Sequence, residues 1–201
     1  MALPAVPGQF RRDAGVVAAD YEELPGPEQS GTRLDADVGT LAHRYVEIMA
    51  QGGLEQWSPQ RLHELQPAMQ RWLTQQGHGE ADASRGAARV AAALAATLSS
   101  EEGRWVLQAR EVAAAEMALA MVEGARIATH IVDRTFIENG ERWVVDYKSA
   151  RLDERSAESL QQQAERYRPQ LERYARLFVE EGLPVRKAVF FLAQGRMAEL
   201  K

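Results

Sequence analysis

The residues best equipped for chemistry lie between His130 and Ser149. Asp133 stands on one apolar-rich run, and Asp146, Tyr147 and Lys148 close the next. Asn139-Gly140 separates the two runs. Such a dipeptide between strand-like runs is a strong hairpin signal, because a type I′ turn needs positive φ at both central residues. Strand side chains alternate faces, so Asp146 and Lys148 are expected on one side of the sheet and Tyr147 on the other. The hairpin folds Asp133 back towards that pair. Two carboxylates and an ammonium at strand ends suit a hard divalent cation, which prefers carboxylate oxygen and keeps water or phosphate in its remaining positions. A cation so held can activate water and neutralise charge on a phosphoryl oxygen, while a nearby lysine orients the attacking water or stabilises the transition state. The plainer reading of the same residues is a surface salt bridge, which would contribute little. The chain uses Lys three times against 21 Arg, yet places a Lys here, as if a compact point charge were required.

These residues need elements to hold them. Val38, Leu41, Ala42, Tyr45, Val46 and Met49 recur at helical spacing, predicting a helix over 37–51 that Gly52-Gly53 stops. His43 and Glu47 share another face of it. Ser58-Pro59 opens a second helix running to about 76, which Pro67 is expected to kink or break. An alanine-rich helix over 84–98 reads as close helix packing. His63 and His78 lack ligand partners at metal spacing and read as surface residues. Residues 113–122 have high helix propensity, but Glu123-Gly124 is a plausible turn and 127–136 is β-branched and apolar. The stretch 115–122 is therefore expected to pair with 126–136 and extend the hairpin into a meander carrying Glu116. After a polar loop from Ser149 to Arg155, a long helix is expected over 156–181, kinked at Pro169 and ended by Gly182 and Pro184. It carries Gln170 and Tyr174 four apart on one face. A final strand covers 185–193. Residues 1–36, with Pro4, Pro7, Pro25 and Pro27 and no sustained periodicity, read as an extended arm or linker, leaving 37–201 as the domain.

Composition narrows the function. With 201 residues, 26% charged and 45% hydrophobic, the chain has room for one well-filled core. No apolar run approaches a membrane span, and the N-terminus lacks the pattern of a signal peptide, so a cytoplasmic setting is expected. The absence of cysteine excludes disulfides, thiolate metal sites and cysteine-held iron–sulfur clusters. Net charge is -5, but unevenly spread: 1–140 hold 12 basic and 19 acidic side chains, and 141–201 hold 12 basic and 10 acidic. The mildly basic C-terminal third permits a phosphate substrate.

The order of these pieces resembles a known family. Gly39-Thr40, His43 and Glu47, then Glu116, then Val132-Asp133-Arg134, then Val145-Asp146-Tyr147-Lys148, then Gln170 and Tyr174 follow the RecB-type branch of the PD-(D/E)XK nuclease superfamily, especially the C-terminal nuclease domain of RecB/AddA-like helicase–nucleases. The resemblance covers about 37–193. It implies an α/β fold: a central mixed β-sheet, a three-stranded meander plus a later strand, flanked by helices as a restriction-endonuclease-like core with an N-terminal helical portion. It implies Asp133, Asp146, Lys148 and Glu116 as catalytic residues. His43, Asp133, Asp146 and the main-chain carbonyl of Tyr147 would be the metal ligands. Gln170, Tyr174 and Arg134 would contact DNA or support the site. Many relatives have glycine three residues before the first metal aspartate, where this chain has His130. No Gly-x-x-x-x-Gly-Lys-Ser/Thr loop is present, so an ATP motor of that type is absent from the chain.

The function so implied is a magnesium-dependent deoxyribonuclease, exonuclease-like, with manganese as an alternative metal and no iron–sulfur cluster. Its partners would be DNA and an SF1-type helicase domain or subunit, with no membrane, and its setting DNA end processing and recombinational repair. Two other readings compete. One is a catalytically silent DNA-binding or scaffold domain of a helicase–nuclease complex. The other is a helical interaction domain, which would need 110–148 to be helical.

Overall fold

The strand from Glu141 to Lys148 is the centre of the molecule, buried along nearly its whole length. The computed structural model describes residues 32–110, 112–123, 126–149 and 159–201, with side chains at 116, 118–123 and 126–130 outside the described set. Four helices come first: α1 (Arg33–Gly52), α2 (Pro59–Gln75), α3 (Glu80–Ser99) and α4 (Glu101–Leu107). Three strands follow, β1 (Ala113–Glu123), β2 (Arg126–Glu138) and β3 (Glu141–Lys148), then α5 (Leu160–Glu165), α6 (Arg168–Arg176), β4 (Val185–Phe191) and β5 (Arg196–Leu200). The sheet order is β1-β2-β3-β4-β5, with only β3–β4 parallel. The expected mixed sheet flanked by helices, with a helical N-terminal portion, is present.

Local chemistry accounts for most boundaries. Asn139 (φ 52°) and Gly140 (φ 78°) both take the left-handed conformation, and Glu138 pairs with Glu141 across the turn, as a type I′ hairpin requires. The stretch 113–123 is a strand despite its alanines, because antiparallel pairing with β2 overrides weak local propensity. The proposed turn at Gly124 and the loop beyond Ser149 lie outside the described residues.

Several boundaries correct the expectation. α1 begins at Arg33, not 37, because Thr32 and Asp35 form a reciprocal capping box. α2 continues unbroken past Pro67; that residue is exposed, so the carbonyl its ring leaves unbonded lies on the watered face. The long C-terminal helix is instead two helices that meet at Arg166 and Tyr167, with Pro169 in the first turn of α6, where a missing N–H costs nothing. α4 and β5 were not expected. Seven and five residues long, they carry too little periodicity to register, although Gly195 (φ 59°) marks the turn into β5.

Two cores sandwich the sheet. Helices α1 to α4 pack on Phe136, Trp143, Val145, Tyr147, Ala188 and Phe190. Helices α5 and α6 pack on Val144, Val189, Phe191, Ala198 and Leu200 through Ala164, Tyr167, Leu171 and Tyr174. The alanines of α3 are indeed packing: a Cβ on Gly86 would stand 2.7 Å from Leu73 Cδ1. Among the described residues no helix is long and apolar enough to cross a membrane.

Candidate active site

The site forms where β2 parts from β3. Their described pairing ends at Arg134–Val145, whereas β3 stays locked to β4 through Lys148–Phe191. On the open side the N–H of Tyr147 donates to Asp133 Oδ2 at 2.7 Å. A carboxylate thus takes the hydrogen bond that a continuing β2 backbone would have made. The carbonyl of Tyr147 shares that edge with its N–H, since both groups of one strand residue point to the same side.

Strand alternation does the rest. Asp146 and Lys148 face the α5–α6 layer, and Lys148 Nζ lies 3.1 Å from Asp146 Oδ2. The Lys148 ammonium also sits 4.3 Å from the centre of the Tyr167 ring, a cation–π contact that fixes its place. Asp146 is 3% exposed. Its Oδ1 accepts from Gln170 Nε2 at 3.1 Å, and the same amide nitrogen donates to Tyr174 Oη at 2.8 Å. Its Oδ2 is buried and faces the Lys148 ammonium as its partner.

The other layer supplies His43. From α1 its Nδ1 lies 3.6 Å from Asp133 Oδ1, and its ring stands edge-on to Tyr147 with centroids 5.9 Å apart. One turn earlier, a Cβ on Gly39 would stand 2.8 Å from Ser149 Oγ. Glycine there lets α1 lie close against the end of β3, which brings His43 to the carboxylates.

The electrostatics separate the two acids. Burial pushes the Asp146 carboxyl up to about 6, against the pull of Lys148 and with help from the charge on Asp133. Burial acts on Asp133 in the same direction, but the charge and hydrogen bond of His43, the Tyr147 N–H and Lys148 together hold it below the usual range. Burial opposes the charged form of His43 as well, yet Asp133 and Asp146 keep its pKa above the ordinary value. Opposed shifts in neighbouring groups are a mark of functional sites.

Asp133, Asp146, Lys148, His43, Gln170 and Tyr174 are therefore brought together. Arg134 is not. It is 2% exposed and donates to the carbonyls of Val106 (3.2 Å) and Gln108 (2.8 Å) at the end of α4. As the neighbour of Asp133 on a strand it faces the opposite layer, where it ties β2 to the end of α4. Glu116 occupies the register position between Ala115–Arg134 and Met117–Val132, across from Asp133; its side chain, like that of His130, lies outside the described set. His78 is also corrected: it is 10% exposed and pairs with Asp37 at 2.7 Å, joining the α2–α3 turn to α1. His63 is exposed as expected. Tyr167, whose ring meets the Lys148 ammonium, is not among the residues singled out from the sequence, although its place three residues before Gln170 sets it on that side.

Among the described residues, no three His, Asp or Glu side chains already stand close enough to make a formed metal site. The available donors are nonetheless of the right kind: buried carboxylate oxygens, an imidazole and a main-chain carbonyl. A search of curated proteins found no match. A family model of the PD-(D/E)XK nuclease superfamily matches residues 15–200, covering every element of the described fold. With both carboxylates and the lysine at the end of the central strands, the chain belongs to the PD-(D/E)XK nuclease superfamily.

Proposed function

We propose that this chain is a magnesium-dependent deoxyribonuclease of the RecB/AddA type that cuts phosphodiester bonds at DNA ends and works beside an SF1-type helicase in recombinational repair. The observation that carries the reading is the convergence of Asp133, Asp146 and Lys148 at the parting of β2 and β3, with His43 arriving from one layer and Gln170 from the other. Asp133, Asp146, His43 and the Tyr147 carbonyl would hold the cation, with Glu116 added from β1. A bound magnesium ion supplies Lewis acidity to the phosphoryl oxygens.

The chain's own residues set up the attack. Lys148, fixed by Asp146 and the Tyr167 ring, orients a water in line with the scissile phosphorus and offers a positive charge to the oxygens that gain charge. Gln170 holds the Asp146 carboxylate in one rotamer, and Tyr174 holds Gln170. Burial of Asp146 keeps competing water from the carboxylate.

The test is cleavage of end-labelled single- and double-stranded linear DNA with magnesium, manganese or EDTA. Wild-type protein is expected to cut only with metal. Lys148→Ala is expected to lose about 10²–10³-fold in kcat, the loss typical of removing one preorganised charge at a transition state, while remaining folded by far-UV circular dichroism. Full activity in Lys148→Ala would overturn the mechanism. No cutting together with no calorimetric binding of magnesium would favour a silent scaffold instead.

A further inference from the structure

Most arginines in the C-terminal half already have acceptors. Arg142 pairs with Glu181, Arg168 with Glu165 and Glu172, and Arg186 with Glu141 and Glu199. Arg134 donates to main-chain carbonyls. Arg173 differs. It is half-buried on α6, and its Nε is shut off from solvent without a hydrogen-bond acceptor among the described residues. A buried donor left without an acceptor loses its water hydrogen bond with nothing in return, so the fold holds this guanidinium at a loss.

Its position says what the missing acceptor is. Arg173 lies three residues after Gln170 and next to Tyr174, the two side chains that reach Asp146. Positions three apart on a helix are neighbours, with Cβ atoms about 5–6 Å from each other. Arg173 therefore branches from α6 next to the Gln170 that reaches Asp146, in the basic last turn of the helix with Arg176. A guanidinium's planar fork matches phosphate oxygens better than any other common acceptor except carboxylate, and among the described residues no carboxylate pairs with it.

We propose that Arg173 binds a backbone phosphate of the nucleic-acid strand next to the one being cut. The contact rests on the nuclease reading above and adds a determinant of strand placement. It reads no base, so it strengthens binding equally on all sequences and favours a strand that continues past the cut over a mononucleotide end.

The experiment is equilibrium binding of a fluorescent single-stranded oligonucleotide in calcium, which is expected to hold the substrate without rapid cutting, across a series of salt concentrations. Four proteins are compared: wild type, Arg173→Gln, Arg173→Lys, and Arg71→Gln, which removes an equal charge from the exposed face of α2. Loss of one phosphate contact lowers the slope of log K against log salt by about 0.7 on a single strand. That drop is expected for Arg173→Gln and not for Arg71→Gln. In cleavage assays Arg173→Gln is expected to raise KM with kcat retained, and Arg173→Lys to recover part of the affinity. Equal slopes for wild type and Arg173→Gln, with wild type still binding and cutting DNA, would overturn the Arg173 contact and leave the nuclease reading standing. Wild type that neither binds nor cuts would overturn both.

Discussion

Asp146 carries a cost that only function explains. Its carboxyl titrates at about 6 in the fold against 3.8 as a free side chain. Between those values the native state binds more protons than the unfolded chain, so the contribution of Asp146 to stability is full below pH 4 and is lost as pH rises through 6. The loss is on the order of 3 kcal/mol, at 1.36 kcal/mol per pKa unit. Urea unfolding in EDTA at pH 4, 5, 6 and 7 should show wild type losing stability relative to Asp146→Asn as pH rises. A difference that stays flat would mean that the carboxylate is not penalised by burial. The same logic explains Gln170 and Lys148: one neutral donor and one cation offset part of the penalty on Asp146 without removing it.

At the scale of elements, what matters is how each side chain is aimed. β2 sends Asp133 to the site and Arg134 to the other layer, where Val106 and Gln108 anchor it. α4 is thereby fastened to the strand that carries the first carboxylate. Arg134→Gln should strip charged hydrogen bonds from buried carbonyls, at a cost of about 2–3 kcal/mol. For a chain of this size that lowers the melting temperature by roughly 5–10 °C. Oligonucleotide affinity and its salt dependence should not change. A variant that melts normally but binds DNA with a reduced salt slope would return Arg134 to the phosphate role.

For the molecule as a whole, the site is a seam between two layers. His43 belongs to the layer of α1 to α4, and Gln170 to that of α5 and α6, with β3 between them. A cation held by His43, Asp133 and Asp146 would stitch α1 to the central strands. Magnesium at about 100 times its dissociation constant should add about 2.7 kcal/mol of stability, seen as a rise of several degrees in melting temperature at pH 7. Asp133→Asn should abolish that rise and His43→Ala should reduce it. An equal rise in all three proteins would place the cation elsewhere.

The sequence by itself determined whatever depends on neighbours in the chain. Asn139-Gly140 dictated the hairpin because positive φ is a local demand. The period of two put Asp146 and Lys148 on one face, and the order of motifs pointed to the superfamily that the family comparison then matched. Helix stripes located α1 to α3 within a few residues, and the Thr32–Asp35 box that starts α1 was there to be read. The tertiary structure decided what depends on distant partners. It parted β2 from β3 on the Asp133 side of the Arg134–Val145 pair, so that a carboxylate replaced a backbone acceptor. It turned Arg134 inward, tucked His78 against Asp37 and let Pro67 ride on an exposed helix face. It also set the opposed pKa shifts of Asp133 and Asp146. Burial and long-range charge act across elements 14 to 103 residues apart in the chain, as in the pairings of Asp133 with Tyr147 and of His43 with Asp146, and no local pattern of residues records them.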